Sequence, residues 1–129
     1  MFIGTSAGTC NTTGATNVMI GNKVGRVTTT GSNNIFLGQF AGCYNLGGTS
    51  NVYVGNCSGY KTQGHDNVML GLSAGFNRCG SKFCRNVLVG RSAGGSCGTL
   101  AIGNFDVFIG YASGKCYTGS CSIGIGHSV

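Results

Sequence analysis

One phrase recurs along this chain and limits what it can fold into. NVMIGNKVG (17–25), NIFLGQFAG (34–42), NVYVGNCSG (51–59), NVMLGLSAG (67–75), NVLVGRSAG (86–94) and DVFIGYASG (106–114) are variants of one another. MFIGTSAG (1–8) precedes them and SIGIGHSV (122–129) follows. The first glycine of the phrase falls at Gly4, Gly21, Gly38, Gly55, Gly71, Gly90, Gly110 and Gly126, at spacings of 17, 17, 17, 16, 19, 20 and 16. A second glycine follows four residues later in each complete copy, and a third (Gly14, Gly31, Gly48, Gly64, Gly80, Gly98, Gly119) lies near the end of the repeat. A period this short leaves no room for a helical hairpin but suits one rung of a β-solenoid, with glycines at the corners. The chain is therefore expected to be all-β, one domain over residues 1–129, built as a parallel β-solenoid of about seven to eight rungs on a ~17-residue repeat. At ~4.8 Å per rung the rod would be about 35 Å long.

Alternation within the phrase suggests two faces. Val18 with Ile20, Ile35 with Leu37, Val52 with Val54, Val68 with Leu70, Val87 with Val89 and Val107 with Ile109 are expected to form the core. Ala7, Val24, Ala41, Ser58, Ala74, Ala93 and Ser113 suit a second, narrower inward position. The residue between the two β-branched positions should then point outward, and it is Phe2, Met19, Phe36, Tyr53, Met69, Leu88, Phe108 and then Ile125 by register. A continuous exposed column of that size is rare on a monomer and predicts an assembly stripe, packed laterally or at a trimer axis. The leading Asn17, Asn34, Asn51, Asn67 and Asn86, continued by Asp106 and Ser122, are expected to stack as an amide ladder.

The repeats, NVYVGNCSG and NIFLGQFAG above all, resemble the glycine-rich β-roll repeats of trimeric autotransporter adhesin heads and of phage or virus fibre proteins. That resemblance covers essentially the whole chain and implies a trimeric stalk or head used for attachment. The eight cysteines depart from it, as does the lack of a recognisable coiled-coil stalk or anchor.

Eight cysteines without a CxxC point to an oxidising compartment rather than to zinc. Cys79 with Cys84 and Cys116 with Cys121 have the spacing for small disulfide rings, leaving Cys10, Cys43, Cys57 and Cys97 to pair within or between chains. Asn11-Thr12-Thr13 and Asn56-Cys57-Ser58 are sequons, so Asn11 and Asn56 are candidate glycan acceptors on a secreted chain. The first residues lack the basic and apolar regions of a secretory leader, which suits a mature chain or a piece of a longer one.

Chemistry is thinly represented. The only acidic side chains are Asp66 and Asp106, two or more rungs apart, so the paired carboxylates of a β-helical glycoside hydrolase are not available. Hexads such as IGTSAG resemble those of hexapeptide acyltransferases but occur once per turn, where that fold needs about three. His65 and His127 are the only candidate bases. Threonines at 12, 13, 28–30, 49, 62, 99 and 118 do not continue as the regular row an ice-binding solenoid needs. The net charge of +6 comes from Lys and Arg scattered over several repeat phases, which disfavours nucleic acid. No run approaches a membrane span. The expectation is a non-enzymatic structural subunit of an extracellular, cell-surface or virion fibre, without cofactor or metal. Its partners would be copies of itself, joined by head-to-tail stacking and by the apolar stripe. The alternative is an adhesin head that binds a cell-surface glycan or receptor.

Overall fold

The computed structural model describes residues 1–77, 82, 84–96 and 103–129. It forms a parallel β-solenoid of about seven turns. The strands are β1 (Phe2–Ile3), β2 (Val18–Ile20), β3 (Ile35–Leu37), β4 (Val52–Val54), β5 (Val68–Leu70), β6 (Val87–Val89), β7 (Val107–Ile109) and β8 (Ile123–Ile125). They make one eight-stranded parallel sheet in sequence order. The phrase stacks on itself without slippage: Val18 lies beside Ile35, Ile35 beside Val52 and Val52 beside Val68. The longer repeats of 19 and 20 residues leave this register intact, because β5, β6 and β7 still pair Met69 with Leu88 and Leu88 with Phe108. At the last rung Gly124, not a large side chain, takes the slot beside Phe108.

Among the described residues the rest of the rungs consists of turns and bends, also bonded from rung to rung. Gly25 N–H donates to the Ala41 carbonyl at 2.9 Å, Gly42 to Ser58 at 2.9 Å and Gly59 to Ala74 at 2.9 Å. Stacking so close dictates the glycine at the first corner. A Cβ on Gly38, whose φ is 125°, would stand 2.7 Å from the Gly55 carbonyl oxygen, so the backbone of the next rung occupies the space of a side chain.

The inward face is the reverse of the one alternation suggested. Met19, Phe36, Tyr53, Met69 and Leu88 are fully buried and Phe108 nearly so, whereas Val18, Ile20, Val52 and Val54 are half-buried and Ile35, Leu70 and Ile109 are exposed. The column expected to be an assembly stripe is the core; only Phe2, in the first rung, is exposed, and Ile125, expected to end the column, lies beside Ile109 in the outer one. Volume explains the inversion. The small residues at the second inward position and the second glycine of the phrase leave a void across the tube that Val or Ile is too short to fill. A Cβ on Gly42 would meet Phe36 Cε2 at 2.5 Å, and one on Gly94 would meet Leu88 Cδ1 at 2.7 Å. Each large residue therefore lies where the facing glycine has no side chain, and the rings stack along the axis, Phe36 on Tyr53 at 4.8 Å and 8°. The narrow inward positions are as expected, with Val24, Ala41, Ser58, Ala74 and Ala93 buried.

Candidate assembly and binding surfaces

The asparagine ladder is formed. Asn34, Asn51 and Asn67 each donate from Nδ2 to the Oδ1 of the Asn one rung before, at 3.2, 3.1 and 3.0 Å. The same oxygens accept backbone N–H groups at 3.0, 3.0 and 3.1 Å. Nδ2 of Asn17, Asn34, Asn51 and Asn86 also donates to a glycine carbonyl in the next rung: Gly31, Gly48, Gly64 and Gly103. These amides are buried and satisfied by the stack itself. Asp106 continues the column, taking the Ser122 N–H on Oδ1 at 2.9 Å while its buried Oδ2 has no partner. Desolvation pushes the Asp106 carboxyl above its ordinary range, opposed by the Ser122 bond.

A second polar column lies near the other end of the rung, buried at Thr28, Asn45 and Thr62 and half-buried at Asn11. Asn45 Oδ1 accepts the Gly48 N–H at 2.7 Å and Thr62 Oγ1 donates to the Gly75 carbonyl at 3.1 Å. Its members differ between Asn and Thr from rung to rung, so no repeated letter marked it. It takes two threonines from the ice-binding set: Thr28 and Thr62 face the interior.

The outer face of the sheet carries the β-branched columns. One runs through Val18, Ile35, Val52, Val68, Val87, Val107 and Ile123, the other through Ile3, Ile20, Leu37, Val54, Leu70, Val89, Ile109 and Ile125. No polar side chain interrupts either column. Side chains two apart on a strand are separated by about 7 Å. Two parallel apolar rows therefore run the length of the rod, on the side opposite the core.

A different wall gathers cations and aromatic rings that look unrelated in the sequence. Lys23 Nζ lies 5.5 Å from the Phe40 ring centre, and the Arg26 guanidinium and Lys61 Nζ lie 5.9 and 5.6 Å from Tyr44. Arg26 Nη2 also donates to the Tyr44 hydroxyl at 3.2 Å. Tyr44 meets Tyr60 edge-on, and Tyr60 stacks on Phe76 at 5.1 Å and 4°. The three cations occupy different phases of the repeat, which suggested scatter. The phases are neighbours because the chain turns back between them, with φ of 52° at Lys23 and 50° at Gly25.

The remaining candidates are dispersed. His65 Nδ1 and Asp66 Oδ2 are 3.0 Å apart and Arg85 Nε is 3.8 Å from the same oxygen, all on exposed side chains. His65 also lines an open groove of about 520 Å³ with Thr29, Gln63, Lys82 and Cys84. His127 stacks on Tyr111 at the far end of the rod. Cys84 and Cys121 carry free thiols, as do Cys10, Cys43 and Cys57, so neither small ring expected from the spacing is closed. The spacing misleads because five residues of a rung cross from one wall to another: Cys116 follows the Gly114 corner, while Cys121 occupies the left-handed position just before the ladder, at φ 61°. Cys79 and Cys97 lie outside the described residues. Of the two sequons, Asn11 buries its amide nitrogen, whereas exposed Asn56 donates Nδ2 to Gln39 Oε1 at 3.0 Å. Among the described residues no group of three or more His, Cys, Asp or Glu is placed to hold a metal ion, and no helix is long and apolar enough to cross a membrane. No protein-family model, curated protein or solved structure matches the chain.

Proposed function

We propose that this chain is a structural element of an extracellular or viral fibre, extended by stacking rung on rung and thickened by lateral packing of solenoids. The observation that carries this reading is the bare outer face of the sheet. All-parallel sheets are normally covered on both faces, and their strands read as near-continuous apolar runs. Here the runs VMI, IFL, VYV and VML are of that kind, yet among the described residues only one face has a cover. The lateral surface is thus the pair of β-branched columns, and the Met19–Phe36–Tyr53 column keeps each rod rigid from inside. A second solenoid laid face to face would bury both sets of columns about 10 Å apart.

Longitudinal growth uses the same register as the interior. β1 and β8 are the edge strands of the sheet, and a rung docked on either meets the parallel pairing that joins every internal pair. Such contacts are heterologous and propagate. Electron microscopy of the purified chain over a range of concentrations, combined with sedimentation, tests the reading. Rods that lengthen or bundle with concentration are expected. Discrete short particles at every concentration would sink it. Replacing Val52 and Val87 by Lys should abolish bundling while leaving circular dichroism unchanged.

The aromatic and basic wall supports attachment as a second role. None of its side chains belongs to the two outer columns of the sheet, so lateral packing through that face leaves it open.

A further inference from the structure

We infer that the wall formed by Lys23, Arg26, Phe40, Tyr44, Tyr60 and Lys61 binds an acidic polysaccharide, a sugar chain bearing sulfate or carboxylate groups. The inference rests on the fibre reading only in placing this wall on the outside of the assembly.

Charge is the first ground. Lys23, Arg26 and Lys61 converge around two aromatic side chains, and no acidic side chain is nearby to neutralise them. The chain has only two. Asp66 is taken up by His65 and Arg85, and Asp106 is held in the ladder. Arg26 Nη2 is held by the Tyr44 hydroxyl, so the guanidinium is fixed in place beside the rings while keeping its full charge.

Shape is the second. In the rungs after that of Lys23 and Arg26, aromatic side chains line a shallow depression. Phe40 forms one side in the next rung, and Tyr60 and Phe76 form the other in the two rungs beyond. Cys57 completes the lining of this apolar pocket of about 270 Å³. From the cations to Phe76 is three rung steps, about 14 Å, so an extended chain lying along the rod can set an anionic group against Lys23 and Arg26 and an apolar ring face against Phe40 and Tyr60. Exposed Gln39 and Asn56 stand beside the depression, offering amides to hydroxyl groups.

The same geometry disfavours nucleic acid, which is held on single strands by bases stacking on open aromatic faces. Here one face of each ring is already taken, Tyr60 and Phe76 by each other and Phe40 by Lys23. The small apolar hollow between them is better suited to the face of a pyranose than to a run of stacked bases.

The test uses the full chain, made without N-glycans and dispersed at low concentration, with a fluorescent heparin hexasaccharide as probe. A neutral dextran oligosaccharide and a single-stranded oligonucleotide of equal charge are the comparisons. Saturable binding of the heparin probe is expected, falling with salt and exceeding both comparisons. Lys23→Gln, Arg26→Gln and Lys61→Gln together should weaken it by about tenfold or more. The same number of charges removed elsewhere, Lys82→Gln, Arg85→Gln and Arg91→Gln, should have a much smaller effect. Phe40→Ser with Tyr60→Ser should weaken binding without changing its salt slope. No saturable binding, equal losses in both charge variants, or tighter binding of the oligonucleotide would each overturn the inference. If the triple variant loses its circular dichroism signal, Lys23→Gln alone carries the comparison. Because single dispersed chains are measured, absence of rods bears on the fibre reading alone.

Discussion

Asn34 takes two hydrogen bonds from Asn51 on a single oxygen: the backbone N–H at 3.0 Å and the side-chain Nδ2 at 3.1 Å both reach Asn34 Oδ1. Asn51 passes the pattern on to Asn67 and donates to the Gly64 carbonyl at 2.9 Å. A deletion in this column therefore strands buried groups in two rungs. Asn51→Ala should lower stability by roughly 2–4 kcal/mol, combining lost hydrogen bonds with a small cavity. Asn22→Ala, on the exposed wall, should stay within about 0.5 kcal/mol. Urea denaturation of both variants checks the contrast, and comparable midpoints would mean the ladder contributes nothing.

Asp106 occupies the same slot with the wrong chemistry. Its folded-state carboxyl lies above the ordinary value because burial disfavours the charge. The folded protein thus holds a proton at pH values where the unfolded chain has lost it. Stability should fall as pH rises from about 3.9, the unfolded value, through the raised folded value, and level off above it. Asp106→Asn supplies the donor that Asn86 directs at Gly103 one rung before. It should stabilise the protein by about 1 kcal/mol at neutral pH and flatten this limb of the pH profile. Thermal melts of both proteins at about pH 4, close to the unfolded carboxyl value, and at about pH 7, roughly three units above it, read the difference directly; an identical profile would show that Asp106 does not set this limb.

The solenoid, its register and its asparagine ladder were legible because they repeat in phase, and stacking rewards identical letters. The inside and outside of the strand were not. A run such as NVMIG has apolar residues on both sides, so hydropathy alternation carries no sign. The sign was present in another form: Asn34 and Phe36 are two apart and share a face, so a buried ladder requires a buried Phe36. The basic wall was hidden for a different reason. Repeat phase measures distance along the rung, while Lys23 and Arg26 are brought together by a turn across it.

That sign can be tested by substitution. Phe36→Ala should cost roughly 3–5 kcal/mol. Gly42→Ala should also be costly, about 2 kcal/mol or more, since the new Cβ meets the Phe36 ring at a backbone φ of 56°. Val52→Thr, on the outer face of the neighbouring rung, should change the stability of dispersed chains by less than about 1 kcal/mol. Guanidinium melts at a concentration below assembly give the ranking. A larger loss for Val52→Thr than for Phe36→Ala would restore the opposite orientation.

Thr16 sits at φ 58°, in the corner position just before the ladder that Asn33 fills one rung later at 59°. A β-branched residue is strained there, whereas glycine is not and asparagine is much less so. Thr16→Gly and Thr16→Asn should each raise stability, by about 1 kcal/mol. Thr29→Gly, where φ is not positive, should instead be destabilising. A loss in the two Thr16 variants, measured by thermal denaturation, would show that this corner is not strained.

The free thiols differ enough in setting to be ranked by reactivity. Cys10 and Cys121 are exposed, while Cys43 is buried beside Arg26. Burial raises the Cys43 thiol above its ordinary range, although the Arg26 guanidinium pulls the other way. Thiolate is the reactive form, so both access and ionisation hold Cys43 back. Brief treatment of the native chain with iodoacetamide, followed by peptide mass analysis, should label Cys10 and Cys121 first and Cys43 last. Denaturant should remove the ranking. Early labelling of Cys43 in the native chain would mean that the wall around Arg26 and Tyr44 opens readily, and the fixed guanidinium on which polysaccharide recognition depends would be lost with it.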